Sequence, residues 1–135
     1  MTHRGACHCG AVQFTVTGPM RPVVACHCRQ CRKITGNFVA ATSAPRAAVA
    51  ITGEVTWFQS SDTARRGFCG TCGCSMFWDG PGVNLSVMAG ALDKPTGLTL
   101  TGHIFCADKG DWYRIADGLP QAPGDDSNMT TKVGA

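Results

Sequence analysis

The spacing of the cysteines constrains this chain more than any other feature of its sequence. Seven of the nine cysteines form three short motifs, which are Cys7-x-Cys9, Cys26-x-Cys28-x-x-Cys31 and Cys69-x-x-Cys72. Such sulfur-rich patterns are typical of soft-metal ligation, and the seven divide into a set of four and a set of three. A closed four-thiolate zinc site is structural, whereas three protein ligands with an open fourth position suit a catalytic zinc. The pattern therefore predicts two different metal sites and favours an enzyme.

The remaining sequence favours metal ligation over disulfide bonding. We find no secretory leader pattern and no apolar run approaching the roughly 20 residues of a membrane helix. We therefore expect a cytoplasmic protein with no membrane partner, in which a reducing environment keeps the cysteines available for metal. Nine cysteines would also leave one unpaired in a disulfide framework.

Length and charge predict one domain without a nucleic-acid partner. The 135 residues are 44% hydrophobic and 16% charged, as in an ordinary globular domain. The net charge is only +3, and the 12 Lys and Arg residues are scattered rather than gathered into a basic stripe. We expect one zinc-binding domain over residues 1–123. Residues 124–135 have little apolar content, which predicts a mobile tail.

Hydrophobic alternation predicts a mainly β fold. Apolar and polar residues alternate from Ala11 to Val16, and Gly18-Pro19 ends this strand. Similar short runs follow at residues 37–42, 47–51, 54–59, 75–78, 83–89 and 103–105. Helical patterns are confined to single turns at residues 28–34 and 91–94. The sequence thus predicts several short antiparallel strands and very little helix.

Local geometry supports a four-sulfur site. In an extended Cys-x-Cys segment both side chains project from one face, so one metal can bridge them. Glycines within and after Cys69-Gly70-Thr71-Cys72-Gly73 permit a tight turn whose backbone N–H groups face the sulfurs. Pairing the first motif with this turn would connect distant parts of the chain. The middle motif supplies three sulfurs from six residues and leaves a fourth position for substrate, water or another protein group.

The motifs resemble those of the glutathione-dependent formaldehyde-activating enzymes, a family that includes centromere protein V-like members. The resemblance rests on Cys7-His8-Cys9-Gly10-Ala11-Val12, Cys26-His27-Cys28-Arg29-Gln30-Cys31-Arg32 and Phe68-Cys69-Gly70-Thr71-Cys72-Gly73. Later segments are also similar, namely Leu92-Asp93-Lys94-Pro95, His103-Ile104-Phe105, Asp111-Trp112 and Asp117-Gly118-Leu119-Pro120. The resemblance spans nearly the whole chain.

This resemblance implies a β-tent fold and two zinc ions per chain. The structural zinc would be held by the residues Cys7, Cys9, Cys69 and Cys72, and the catalytic zinc by Cys26, Cys28 and Cys31. It also implies carbon–sulfur lyase activity, the formation or cleavage of S-hydroxymethylglutathione from glutathione and formaldehyde. The expected partner is a glutathione-like small thiol.

Three thiolates on Zn²⁺ leave a net charge near −1, which suits binding of a substrate thiol better than activation of water. The cation would keep that thiol deprotonated for attack on formaldehyde.

Arg29, Arg32 and Lys33 follow the ligands closely and are candidates to bind the glutathione carboxylates. A solvated basic surface is the alternative for these residues. The same two alternatives apply to Arg65 and Arg66, in the strand that leads to Cys69.

Four other residues could belong to either site or to the core. Side-chain alternation predicts that His27 faces away from the metal. Cys74 stands where the family usually has Thr or Ser; it is either a buried small side chain or a further ligand. For Cys106 and His103 we expect buried packing roles rather than chemistry.

Two other kinds of protein fit the same cysteines. One is a non-catalytic module with two structural zinc sites, in which Cys74 or an outside group completes the second site and a basic face binds a protein partner. The other is an iron protein, because four thiolates also hold iron or iron–sulfur clusters.

Overall fold

The computed structural model describes residues 1–134, and ten β-strands form its framework. The strands are β1 Thr2–Ala6, β2 Gln13–Thr17, β3 Val23–Cys26, β4 Val39–Pro45, β5 Val49–Thr52, β6 Val55–Gln59, β7 Arg65–Cys69, β8 Ser75–Asp79, β9 Asn84–Met88 and β10 Leu100–Ile104. The α-helices are α1 Arg29–Thr35 and α2 Ser127–Thr130, and 3-10 turns lie at Arg46–Ala48, Ala89–Ala91 and Cys106–Asp108. The prediction of a mainly β fold with little helix is confirmed.

The strands form two sheets. The smaller sheet has three strands in the order β1-β2-β5, and the larger has seven in the order β10-β3-β4-β9-β8-β7-β6. Neighbouring strands pair antiparallel except β10 and β3, which run parallel with His103 opposite Ala25. This parallel pair places residues that are distant in sequence beside Cys26 at the end of β3.

The core lies between the two sheets. Alternation along β2 buries Phe14 and Val16, and on the larger sheet Phe77 and Val87 are fully buried. The rings of Phe14 and Phe77 meet edge to face with centroids 5.3 Å apart, a favourable aromatic arrangement. Gly5 on β1 makes room for this contact, because a Cβ there would lie 2.3 Å from the Phe14 ring.

Helix α1 carries part of the middle cysteine motif and is capped at both ends. Cys28 is its N-cap, and the Cys28 sulfur accepts a hydrogen bond from the backbone N–H of Cys31. Gly36 ends the helix in the left-handed conformation, with φ of 78°, and its N–H bonds to the Arg32 carbonyl. The helix therefore starts within the middle cysteine motif. Its N-cap carries the sulfur of Cys28, and its first turn carries that of Cys31.

The C-terminal segment contacts residues that flank β10 and β3 of the larger sheet. Phe105 N–H donates to the Gly124 carbonyl at 2.9 Å, and the Arg21 guanidinium donates to the Thr130 carbonyl at 3.0 Å. These contacts involve the segment from residue 124 onward, and its predicted mobility stays a prediction. In residues 1–134, every helix is too short or too polar to cross a membrane.

Candidate metal centres and their surroundings

The first cysteine cluster joins the two sheets. Cys7 and Cys9 follow β1 of the small sheet, Cys69 ends β7 of the large sheet, and Cys72 lies in the turn before β8. All four sulfurs lie within 4.8 Å of one another. The structure thus brings together the four residues that the sequence assigned to one site.

The spacing of these sulfurs fits zinc. Zn–S bonds of about 2.3 Å in a tetrahedral site place the sulfurs about 3.8 Å apart. The Sγ atoms of Cys7 and Cys9 are 3.6 Å apart, and those of Cys9 and Cys69 are 3.7 Å apart. Backbone donors also favour thiolates, because the Val12 N–H lies 3.3 Å from the Cys7 sulfur and lowers the pKa of Cys7 to about 6.

The second cluster is formed by Cys26 at the end of β3, Cys28 before α1 and Cys31 in the first turn of α1. Their sulfurs also lie within 4.8 Å of one another, and those of Cys28 and Cys31 are 3.2 Å apart. Cys31 is buried, whereas Cys26 and Cys28 are partly exposed. Within residues 1–134, no fourth Cys, His, Asp or Glu joins this cluster.

The sulfurs of the second cluster lie close enough to shift one another's pKa values. Hydrogen bonding from Cys26 and then Cys31 lowers the pKa of Cys28 to about 2. The hydrogen bond with Cys28 raises the pKa of Cys26 far above the ordinary thiol value. A bound Zn²⁺ would deprotonate all three, and three-sulfur coordination is a donor set that zinc accepts.

The basic residues beside the second cluster differ in their surroundings. Arg29 and Lys33 are exposed and four residues apart on α1, so they share a face of the helix. Arg32 is partly buried, and its Nε donates to the Asp108 carbonyl at 2.9 Å. All three lie within seven residues of Cys26, and their predicted contact with substrate stays a prediction.

His27 faces away from the sulfurs and belongs to a chain of four hydrogen-bonded side chains, in the order Tyr113, His27, His103 and Asp117. Its Nε2 lies 2.9 Å from Nδ1 of His103, and His103 Nε2 lies 2.7 Å from Oδ2 of Asp117. At the other end, His27 Nδ1 contacts the hydroxyl of Tyr113 at 2.5 Å. A carboxylate only accepts, so His103 Nε2 donates to Asp117. With a single proton on the His103 ring, His27 Nε2 donates to His103 Nδ1, and the Tyr113 hydroxyl donates to His27 Nδ1.

This hydrogen-bond chain fixes His27, and with it the backbone segment that carries the sulfurs of Cys26 and Cys28. Burial, followed by the nearby His103, lowers the pKa of His27 to about 4. His27 is 1% exposed and His103 is 4% exposed, and the burial of His103 agrees with the core position predicted for it. The partnership with Asp117 and Tyr113 was not predicted, because it depends on the pairing of β3 with β10.

The two other cysteines lie outside both clusters. The Cys74 side chain is partly buried and packs against the core around the first cluster, so it does not complete the second. Cys106 is also partly exposed and begins the 3-10 turn after β10. Neither sulfur is among the seven that could hold a metal.

The strand before Cys69 places its two arginines differently. Arg65 is exposed, lies over the Trp57 ring at 3.9 Å and pairs with Asp79 at 2.9 Å. Arg66 is only 6% exposed and points to the second cluster, where its Nη2 lies 3.5 Å from the Cys31 sulfur. The sequence treated the two residues alike, but the alternation of β7 separates them.

Comparison with protein families agrees with this arrangement of cysteines. The family model described as "Glutathione-dependent formaldehyde-activating enzyme" matches residues 2–108, about four fifths of the chain. The matched region contains both clusters and all ten strands.

Proposed function

Because the chain belongs to the family of glutathione-dependent formaldehyde-activating enzymes, we propose that it is a zinc-dependent carbon–sulfur lyase. Its substrate would be a thiol adduct such as S-hydroxymethylglutathione, formed from glutathione and formaldehyde. The observation that carries this proposal is the difference between the two clusters. One gathers four sulfurs, whereas the other gathers only three.

The four residues Cys7, Cys9, Cys69 and Cys72 would hold the structural zinc, and Cys26, Cys28 and Cys31 the catalytic one. A closed four-sulfur set leaves no position for substrate, while three protein ligands do. Zinc at the second cluster would supply a positive charge that stabilises the thiolate form of a substrate thiol. The partial exposure of Cys26 and Cys28 would let a small thiol approach this cluster.

The reaction is balanced without an oxidant or reductant. In the forward direction the thiol sulfur attacks the formaldehyde carbon, a carbon–sulfur bond forms, and the proton released from the thiol reaches the former carbonyl oxygen. In the reverse direction that bond breaks and the thiol leaves. The chain would contribute by holding the thiol beside the cluster in the orientation for attack.

Arg29, Arg32 and Lys33 are proposed to bind the two carboxylates of glutathione. Arg29 directly follows the N-cap residue Cys28, and Lys33 lies one turn further along the same face of α1. Their exposure leaves these two cations free to meet a ligand. Arg32 has its Nε engaged by Asp108, so only the rest of its guanidinium is available. Charge-assisted bonds of this kind select anionic thiols over neutral ones.

We also propose that the domain comprises residues 1–123 and works in the cytoplasm. Exchangeable thiolate ligands persist in a reducing compartment, and glutathione is abundant there. No nucleic-acid partner is proposed, because the small net charge of +3 provides no basic stripe for one.

The test combines metal content with turnover. Wild-type protein should hold two zinc ions per chain and accelerate the equilibration of glutathione and formaldehyde with their adduct, followed by NMR of the hydroxymethyl group. Cys28→Ser should lose about one zinc and lose this acceleration. The matched control is Cys106→Ser, which removes a partly exposed sulfur outside both clusters and should keep both properties.

A non-catalytic module would give a different result. In that case both zinc ions would remain bound, added glutathione would leave the spectrum of cobalt at the second cluster unchanged, and the equilibration would run at its uncatalysed rate. An iron site would be coloured as purified, whereas zinc is colourless.

A further inference from the structure

Arg66 is a buried cation without an acidic partner. Only 6% of the residue is exposed. Among residues 1–134, the carboxylates that form ion pairs engage Arg46, Arg65 and His103, and none engages Arg66. An arginine remains charged at all ordinary pH values, and a buried charge is unfavourable unless an opposite charge or several hydrogen bonds compensate for it.

The surroundings of Arg66 supply that compensation from the second cluster. Its Nε donates to Oε1 of Gln30 at 2.8 Å, and its Nη2 donates to the sulfur of Cys31 at 3.5 Å. Gln30 is held in turn, because its Nε2 donates to the Ser60 carbonyl at 3.0 Å. The Arg66 side chain therefore reaches from β7 to the first turn of α1. One of its partners, Cys31, belongs to the cluster, and the other, Gln30, is the residue before it.

The positive charge of Arg66 is complementary to the charge that the second cluster would carry with a divalent cation bound. Three thiolates around a divalent cation carry a net charge near −1, and the sulfur of the buried Cys31 has little water to solvate it. The Arg66 guanidinium brings a fixed +1 charge into contact with that sulfur. An N–H bond to a ligating sulfur both orients the ligand and tunes the metal, and outer partners of this kind affect metal affinity strongly.

We propose that Arg66 is a positioning residue of the second cluster, which holds the Cys31 sulfur in place and balances the charge of the three thiolates. This inference rests on the proposed function only in requiring a metal ion at that cluster. We assign Arg66 no role in substrate recognition, because the buried guanidinium of Arg66 is already engaged by Gln30 and Cys31. The basic residues on α1 are left for that purpose.

The test measures metal binding rather than turnover. Full-length Arg66→Met and Arg66→Lys are compared with wild type by competition with a chromogenic chelator for Zn²⁺ and by the spectrum of the Co²⁺ form. The matched control is Arg65→Met, a neighbouring change on the exposed side of the same strand. Cys28→Ser removes one sulfur of the second cluster, so the metal binding and the cobalt spectrum that this variant loses are those of the second cluster.

Arg66→Met should lower Zn²⁺ affinity at the second cluster by about 10- to 100-fold and leave the first cluster unchanged. The sulfur-to-cobalt charge-transfer band of the second cluster should move to lower energy, because a sulfur without its N–H donor is a better electron donor. Arg66→Lys should recover part of the affinity, since it restores the charge without the planar fork. Retention of zinc at the first cluster shows that the variant is folded.

Three results would overturn the proposal. The first is an Arg66→Met protein whose second-cluster affinity and cobalt spectrum match wild type. The second is an equal loss at both clusters, or an equal loss in Arg65→Met, which would indicate general destabilisation. The third is a raised KM for glutathione with unchanged metal binding, which would make Arg66 a substrate-binding residue. Absence of lyase activity in wild type would refute the proposed function and leave these measurements valid.

Discussion

Replacement of His103 by leucine should destabilise the protein measurably, because it breaks the buried hydrogen-bond chain in the middle. His103 contacts Nε2 of His27 at 2.9 Å and Asp117 at 2.7 Å. Leucine fills a similar volume, so a large cavity does not form. The main effect is that Nε2 of His27, a residue only 1% exposed, loses its hydrogen-bond partner.

The loss of stability can be estimated from the unpaired nitrogen of His27. A buried polar group left without a partner costs about 1–3 kcal/mol. The Asp117 carboxylate adds little, because its side chain is 38% exposed and water can replace the lost bond. For a chain of this size, roughly 4 °C of Tm corresponds to 1 kcal/mol, so we expect a decrease of about 4–12 °C.

The assay is thermal or urea unfolding followed by circular dichroism, with reductant and a fixed excess of Zn²⁺ because metal binding itself raises stability. Tyr113→Phe is the matched control. It removes only the hydroxyl at the outer end of the chain, where Tyr113 is partly exposed, and should cost less than about 1 kcal/mol. A His103→Leu protein within about 0.5 kcal/mol of wild type, or no less stable than Tyr113→Phe, would refute this reasoning.

Two further predictions concern the core and the acidic end of the same chain. Phe77→Ala should lower the free energy of unfolding by about 3–5 kcal/mol in urea titrations, because Phe77 is fully buried against Phe14; a loss below about 1 kcal/mol would contradict this packing. The Leu119 N–H, and then His103, lower the pKa of Asp117 below its ordinary value of 3.8. Its contribution to stability is therefore full above that value and is lost as the pH falls through the lowered pKa. NMR titration of the carboxyl carbon should show a midpoint below 3.8 in wild type and a higher midpoint in His103→Leu; equal midpoints would argue against the contact.

The cysteine clusters could be predicted from sequence because their geometry is mostly local. Cys7 and Cys9 lie in one tight turn after β1, where the Gly10 N–H donates to the Cys7 carbonyl at 3.2 Å, and the extended geometry predicted for this motif is wrong. Cys28 and Cys31 lie within one turn at the start of a helix. Each motif therefore fixes its own half of a site. Combining the first motif with Cys69 and Cys72 needed only the rule that two such halves complete a tetrahedron.

Two strands were absent from the sequence prediction for physical reasons. β3 has the sequence Val-Val-Ala-Cys and lies between β10 and β4, so successive residues are buried on both faces and no alternation is visible. β1 is a mostly polar edge strand of the small sheet, with only Gly5 fully buried. Neither carries the period of two by which most of the other strands were recognised.

The side chains around the second cluster could not be predicted because their contacts are non-local. His103 is 76 residues from His27, and Arg66 is 35 residues from Cys31. Both contacts depend on which strands pair and in which register. The sequence indicated correctly that His27 faces away from the sulfurs, but only the parallel register of β10 with β3 shows what it meets.

Strand β7 connects the two clusters, so their roles are not independent. Cys69 at its end contributes a sulfur to the first cluster, and Arg66 three residues earlier contacts a sulfur of the second. In a regular strand, residues three apart face opposite sides, and here the pairing with β8 also shifts register between Gly67 and Phe68. The first cluster therefore fixes the end of the strand from which Arg66 reaches Cys31. A zinc ion that only stabilises the fold would thus also hold in place the cation that balances the charge of the proposed catalytic cluster.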